Sequence, residues 1–129
     1  MSTELLYLTL VALLTTLIWL PYSLNLIMVH GLAAAVSNRD KHAPLSAWAE
    51  RAKRAHANAV ENLVVFAAVV LTAASLQKFD AVTAWAAAIY FWARLVHYLV
   101  YSFGWIWIRT LSWTVGWLCC LAIIWRILG

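Results

Sequence analysis

Residues 51–76 read RAKRAHANAVENLVVFAAVVLTAASL. No proline or glycine interrupts them, and the half that follows Asn62 is apolar, so the stretch reads as one helix that enters hydrocarbon. Ser46 offers an N-cap and Glu50 an acidic first turn, which sets the helix at 46–76. On a wheel advancing about 100° per residue with Arg51 at the origin, Arg54, Asn58, Glu61 and Asn62 fall at about 300°, 340°, 280° and 20°. With Arg51 they share an arc of about 100° over three turns. His56, at about 140°, faces elsewhere and reads as structural. Glu61 stands about 22 Å along the axis from the helix start. An ionised carboxylate at that depth should face the bundle and find a partner.

The whole chain supports a membrane setting. Of its 129 residues, 66% are hydrophobic and 11% charged, with a mean hydropathy of +0.84. That is too little charge to cover a water-facing surface, whereas a bilayer accepts helices that are apolar all round. The length allows one compact unit and no second domain. Glu4 and the long apolar run after it argue against a secretory signal peptide. Nucleic acid is not an expected partner. Cys119 and Cys120 are neighbours on an apolar helix and point about 100° apart, so they read as small buried hydrophobes. With no His or carboxylate nearby they make no metal site, and no metal is expected. Trp19, Trp48, Trp105, Trp107 and Trp125 fall near helix ends, at headgroup level. Trp85, Trp92, Trp113 and Trp117 fall deeper, as packing or lipid-facing residues.

Three further helices are expected. The first covers 3–36, with Pro21 and Asn25 interrupting it, and is long enough that it must tilt, kink at Pro21 or project from the bilayer. Asn25 reads as satisfying a backbone group freed by the proline. The polar run SNRDKHA at 37–43 is a loop. The third helix covers 81–103 and is broken by Gly104; the fourth covers 109–128. Four spans joined by short connections predict an all-α, up-down-up-down antiparallel bundle. Arg39, Lys41, Arg51, Lys53, Arg54 and Arg109 fall on one side, against Lys78 and Arg126 on the other. This bias places the first loop in the cytoplasm and both termini outside; in a bacterium the membrane would be the inner one.

The third helix carries a second polar face. Arg94, His97, Tyr98 and Tyr101 lie within a narrow arc of their own wheel, in the same half of the membrane as Glu61. An Arg94–Glu61 ion pair between helices is the expected arrangement, and intramembrane charges of this kind mark functional sites. Arg109 adds a cation from the fourth helix. Arg51, Arg54, Arg94 and Arg109 against one Glu61 make a guanidinium-rich site for an anionic ligand that bears carboxylates, entering from the cytoplasm. Asn58, His97 and Tyr101 would orient that ligand by hydrogen bonds. Bland readings exist for several of these residues: Arg51 and Lys53 as interfacial anchors, Arg109 as a positive-inside residue, His97 bonded to a backbone carbonyl.

The string Arg51-Ala-Lys-Arg54-Ala-His56-Ala-Asn58-Ala-Val-Glu61-Asn62 resembles the signature of the MAPEG family, the membrane-associated proteins in eicosanoid and glutathione metabolism. Arg94-Leu-Val-His97-Tyr-Leu-Val-Tyr101 and Arg109-Thr110-Leu-Ser-Trp113 are similar to the family's motifs on its third and fourth helices. The resemblance implies a homotrimer with glutathione bound as co-substrate between subunits at the cytoplasmic end. It implies that Arg51, Arg54, Asn58, Glu61, Arg94, His97 and Tyr101 hold glutathione and that Arg109 is catalytic, stabilising the thiolate. A nearby arginine favours thiolate over thiol, whose ordinary pKa is about 8.5. The thiolate would attack a hydrophobic electrophile or hydroperoxide dissolved in the bilayer. Where the leukotriene-C synthases of the family carry two arginines and a tyrosine, this chain has His30-Gly31 and Asn62.

Three functions follow in order. The first is a membrane-bound glutathione transferase or peroxidase acting on hydrophobic electrophiles. The second is a non-catalytic family member that binds a lipid or another membrane protein. The third is a small four-helix exporter, disfavoured by the arginine surplus and by a first helix without an interior carboxylate.

Overall fold

The computed structural model describes residues 1–38 and 43–129. Arg39 and Lys41, two of the cations in the charge bias, lie outside the described residues. Six helices follow in order: α1 (Thr3–Leu17), α2 (Leu20–His30), α3 (Leu32–Val36), α4 (Ala47–Ser75), α5 (Ala81–Phe103) and α6 (Ile106–Leu128). Thr3–His30, Ala47–Ser75 and Ile106–Leu128 are each long and apolar enough to cross a membrane. The 23-residue α5 buries Arg94 and His97, while its exposed large side chains are Val82, Trp85, Ile89, Trp92, Val96, Leu99 and Phe103, an apolar outer face at helical spacing. The protein is an all-helical membrane bundle.

The helix expected over 3–36 is three helices. Pro21 lies in the first turn of α2, where its missing N–H is harmless, and its ring cannot coexist with an unbroken helix through Leu17. The chain turns at Ile18 and Trp19, and the Ile18 carbonyl accepts the Tyr98 hydroxyl at 3.2 Å. Gly31, at φ 87°, ends α2 in a conformation that side chains avoid. Asn25 does not serve the proline break. It is buried and pairs with Ser46 both ways, its Nδ2 donating to Ser46 Oγ and its Oδ1 accepting the Ser46 N–H, each at 3.0 Å. Ser46 therefore holds the N-cap position of α4 without using its hydroxyl as a cap. Glu50 Oε1 instead accepts the Leu45 N–H at 3.0 Å.

The last helix begins at Ile106, three residues before the expected start. Gly104 takes the left-handed φ of 81° that terminates α5, extended Trp105 becomes the N-cap, and its carbonyl accepts the Arg109 N–H at 3.1 Å. Arg109 thus stands in the first turn of α6.

In the bundle α5 packs on α1, α4 and α6. Alanines at 73, 86 and 87 let the backbones approach around Val11, Phe66, Val70, Tyr90, Cys119, Cys120 and Ile123. The rings of Phe66 and Tyr90 stack at 3.8 Å with planes 8° apart. Both cysteines are free and buried, as read from the sequence. Trp85, Trp92, Trp113 and Trp117 are all exposed on the outer surface.

The two ends of the bundle are tied differently. At the end holding both termini, buried Glu4 accepts from the Thr83 hydroxyl, Asp80 and Thr83 form a reciprocal capping box, Arg126 pairs with Asp80, and Lys78 Nζ donates to the Ile127 carbonyl at 2.6 Å. At the opposite end, beside the α3–α4 loop, Tyr22 Oη meets His56 Nδ1 at 2.7 Å and His30 Nε2 meets the Pro44 carbonyl at 2.6 Å. His56 thus meets α2 and not the polar face of α5.

Candidate functional site

The polar faces of α4 and α5 meet in the half of the bundle nearest that loop. Arg94 and His97 point inward and are 4% and 2% exposed. Arg94 Nη2 donates to Asn58 Oδ1 at 2.8 Å, and Asn62 Nδ2 donates to the Asn58 backbone carbonyl at 2.8 Å and to its Oδ1 at 3.3 Å. The His97 and Tyr101 rings meet edge to face at 5.5 Å. The Arg109 guanidinium lies over the Tyr101 ring, 4.6 Å from its centroid. Asn58, Arg94, His97, Tyr101 and Arg109 thus form one continuous cluster across three helices.

The expected Arg94–Glu61 ion pair does not form within the protomer. Asn58, the less exposed of the two on α4, takes the guanidinium, and Glu61 points outward. Glu61 and Arg54 are exposed, and neither makes a hydrogen bond or ion pair among the described residues. Arg51 is partly committed elsewhere: its Nε donates to the Ser102 carbonyl at 2.9 Å and its guanidinium packs beside Gly104, fastening α4 to the end of α5. Tyr98, counted with the polar face of α5, is spent on the Ile18 carbonyl.

The cluster has unmet hydrogen-bonding capacity. Among the described residues, Arg94 Nε, His97 Nδ1 and Tyr90 Oη are buried without a partner. Tyr90 was not singled out from the sequence; its place one turn before Arg94 on the same face was the available signal. Gly116 on α6 lies against both, with its Cβ position 3.6 Å from the Tyr90 ring and 3.7 Å from Arg94 Cδ. A buried guanidinium whose only partner among the described residues is a neutral amide retains strong demand for an acceptor. Chemically, the arrangement suits an anion.

The MAPEG family model matches residues 5–129, nearly the whole chain. The chain belongs to the MAPEG family. That family consists of membrane helical bundles related to glutathione metabolism, in keeping with the helices and the cationic cluster described above. Among curated proteins and among solved structures, nothing matches the chain.

Proposed function

We propose that this MAPEG protein is a membrane-bound, glutathione-dependent transferase or peroxidase acting on hydrophobic electrophiles. The observation that carries the reading is the buried Arg94, held by Asn58 and continued by His97, Tyr101 and Arg109, with no carboxylate of its own protomer against it among the described residues. Glutathione is a net anion with two carboxylates, which arginines bind in bidentate fashion. Arg51, Arg54, Asn58, Glu61, Arg94, His97 and Tyr101 are the proposed glutathione-binding set, with Glu61 accepting from the glutathione amine. Arg109 is the proposed catalytic residue, its charge favouring the thiolate. The thiolate sulfur then bonds to the electrophilic centre as the bond to the leaving group breaks; with a hydroperoxide it bonds to the outer oxygen as the O–O bond breaks, the alkoxide leaves as the alcohol, and a second glutathione reduces the sulfenic product to the disulfide and water. Trp113 and Trp117 follow Arg109 at successive helical turns, their rings parallel within 7° and 6.3 Å apart, and supply a flat apolar flank for a lipid-soluble substrate.

Arg54 and Glu61 support the trimeric part of the proposal. A charged side chain facing lipid costs about 2.5–3.5 kcal/mol near the bilayer centre, and these two share the outward stripe of α4 with Val64, 67% exposed, and Leu71, 54% exposed. A homotrimer would cover that stripe and complete the site across a subunit boundary. On the charge bias of the sequence, the proposal puts the loop end in the cytoplasm, where glutathione is supplied, and both termini outside; in a bacterium the membrane would be the inner one.

Calorimetry of purified protein with glutathione tests the reading. Binding is expected, weakened by Arg54→Ala and by Arg94→Ala; no heat at millimolar glutathione would sink it. One observation favours a second reading, a non-catalytic member that binds a lipid or another membrane protein. His30 is turned onto the Pro44 carbonyl and Gly31 has no side chain, so neither replaces the arginines of the leukotriene-C synthases. Glutathione binding without thiolate formation would select it.

A further inference from the structure

An asparagine amide has an oxygen that accepts and a nitrogen that donates, and its surroundings decide which faces where. Arg94 can only donate, so the Asn58 atom 2.8 Å from it is the amide oxygen. The same oxygen takes a second donor, Asn62 Nδ2, which also holds the Asn58 backbone carbonyl one turn back along α4. Two donors on one oxygen fix the Asn58 side chain. Its NH2, on a half-buried side chain, makes no hydrogen bond among the described residues, and Arg94 Nε is buried without one. Two linked side chains thereby present unsatisfied donors, and only an acceptor can complete them.

We propose that Asn62 is a positioning residue which, acting through Asn58, aims the Asn58 NH2 and the Arg94 guanidinium at a carboxylate of the ligand. This rests on the glutathione reading for the identity of that ligand. Loss of the Asn62 donor frees the Asn58 amide to turn and leaves Arg94 anchored on a mobile acceptor. Removing one such hydrogen bond corresponds to about fivefold in affinity.

The test compares wild type, Asn62→Leu (similar in size, no donor) and Asn62→Gln (donor kept) as full-length protein in detergent. Calorimetry is run with glutathione and with its diethyl ester, whose carboxylates are masked. Asn62→Leu is expected to weaken glutathione about fivefold, to leave the ester unchanged, and to be rescued in part by Asn62→Gln. An unchanged affinity, or an equal loss for both ligands, overturns the proposal. If wild type binds neither, the glutathione reading fails by itself. The relay is then read from the 15N-detected Arg94 Nε–H signal titrated with acetate. A response in wild type and Asn62→Gln that is absent in Asn62→Leu supports it; a response alike in all three, or in none, overturns it.

Discussion

Asn58 is the residue on which the site turns, since its one amide oxygen receives a cation from α5 and an amide from α4. A hydrogen bond between membrane helices is worth about 0.6 kcal/mol on average by double-mutant cycles. An Asn58→Leu, Arg94→Met cycle, followed by denaturation in mixed micelles, should therefore return a coupling of about that size. Additive losses would show that the contact contributes nothing to the fold. Arg109 depends on a ring rather than on a hydrogen bond. A cation over a half-buried aromatic face gains about 0.5–2 kcal/mol. Tyr101→Phe, which keeps the ring but loses the hydroxyl proposed to orient glutathione, should weaken glutathione binding while keeping thiolate absorbance near wild type at saturating glutathione in stopped flow. Tyr101→Leu should reduce it about fivefold or more, and Arg109→Ala should weaken it as well. A thiolate signal indifferent to Arg109 removes that residue from the mechanism.

At the scale of elements, the helices are pinned by short-range polar pairs at their ends. The start of α5 is the clearest case. The Thr83 backbone N–H, 3.1 Å from Asp80 Oδ1, and then the Arg126 guanidinium hold the Asp80 carboxyl below the ordinary aspartate range. A depressed carboxylate stabilises the fold above its unfolded value, about 3.9, and that contribution is lost as pH falls through the folded value. Thermal melts in detergent should thus lose stability as pH drops below about 4, and Asp80→Asn should flatten that limb; an unaltered acid limb would count against the assignment. Thr83→Val is the harsher change, because it leaves the buried Glu4 carboxylate without the hydroxyl it accepts from. A loss of about 1–3 kcal/mol is expected, measured by unfolding of the same protein.

For the whole molecule, the outward stripe of α4 is the decisive surface. Arg54 and Glu61 cannot be left in hydrocarbon without cost; if the proposed homotrimer covers them, native mass spectrometry in detergent finds three copies of the 14.5 kDa chain. Glu61→Leu should leave the assembly intact while weakening glutathione binding, since an apolar side chain suits the stripe but accepts nothing. A dimer would favour a small four-helix exporter.

Membrane class, the last three helices in outline and the polar residues that share a face were legible in the chain, because hydropathy, the 3.6-residue period and Pro or Gly breaks are local properties. The polar arc from Arg51 to Asn62 and the matching face from Arg94 to Tyr101 were local in the same sense. Local pattern could not choose partners. Asn58 and Glu61 are three residues apart on one face, and either could have met Arg94. The rotation of α4 against α5, set by alanines and by the Phe66–Tyr90 stack, gave the guanidinium to Asn58 and turned Glu61 outward. Asn25 found Ser46 for the same reason: the break at Pro21 is written in the sequence, but where the freed segment lands depends on what it packs against. Periodicity thus determined which residues share a face, and only tertiary packing decided which faces meet.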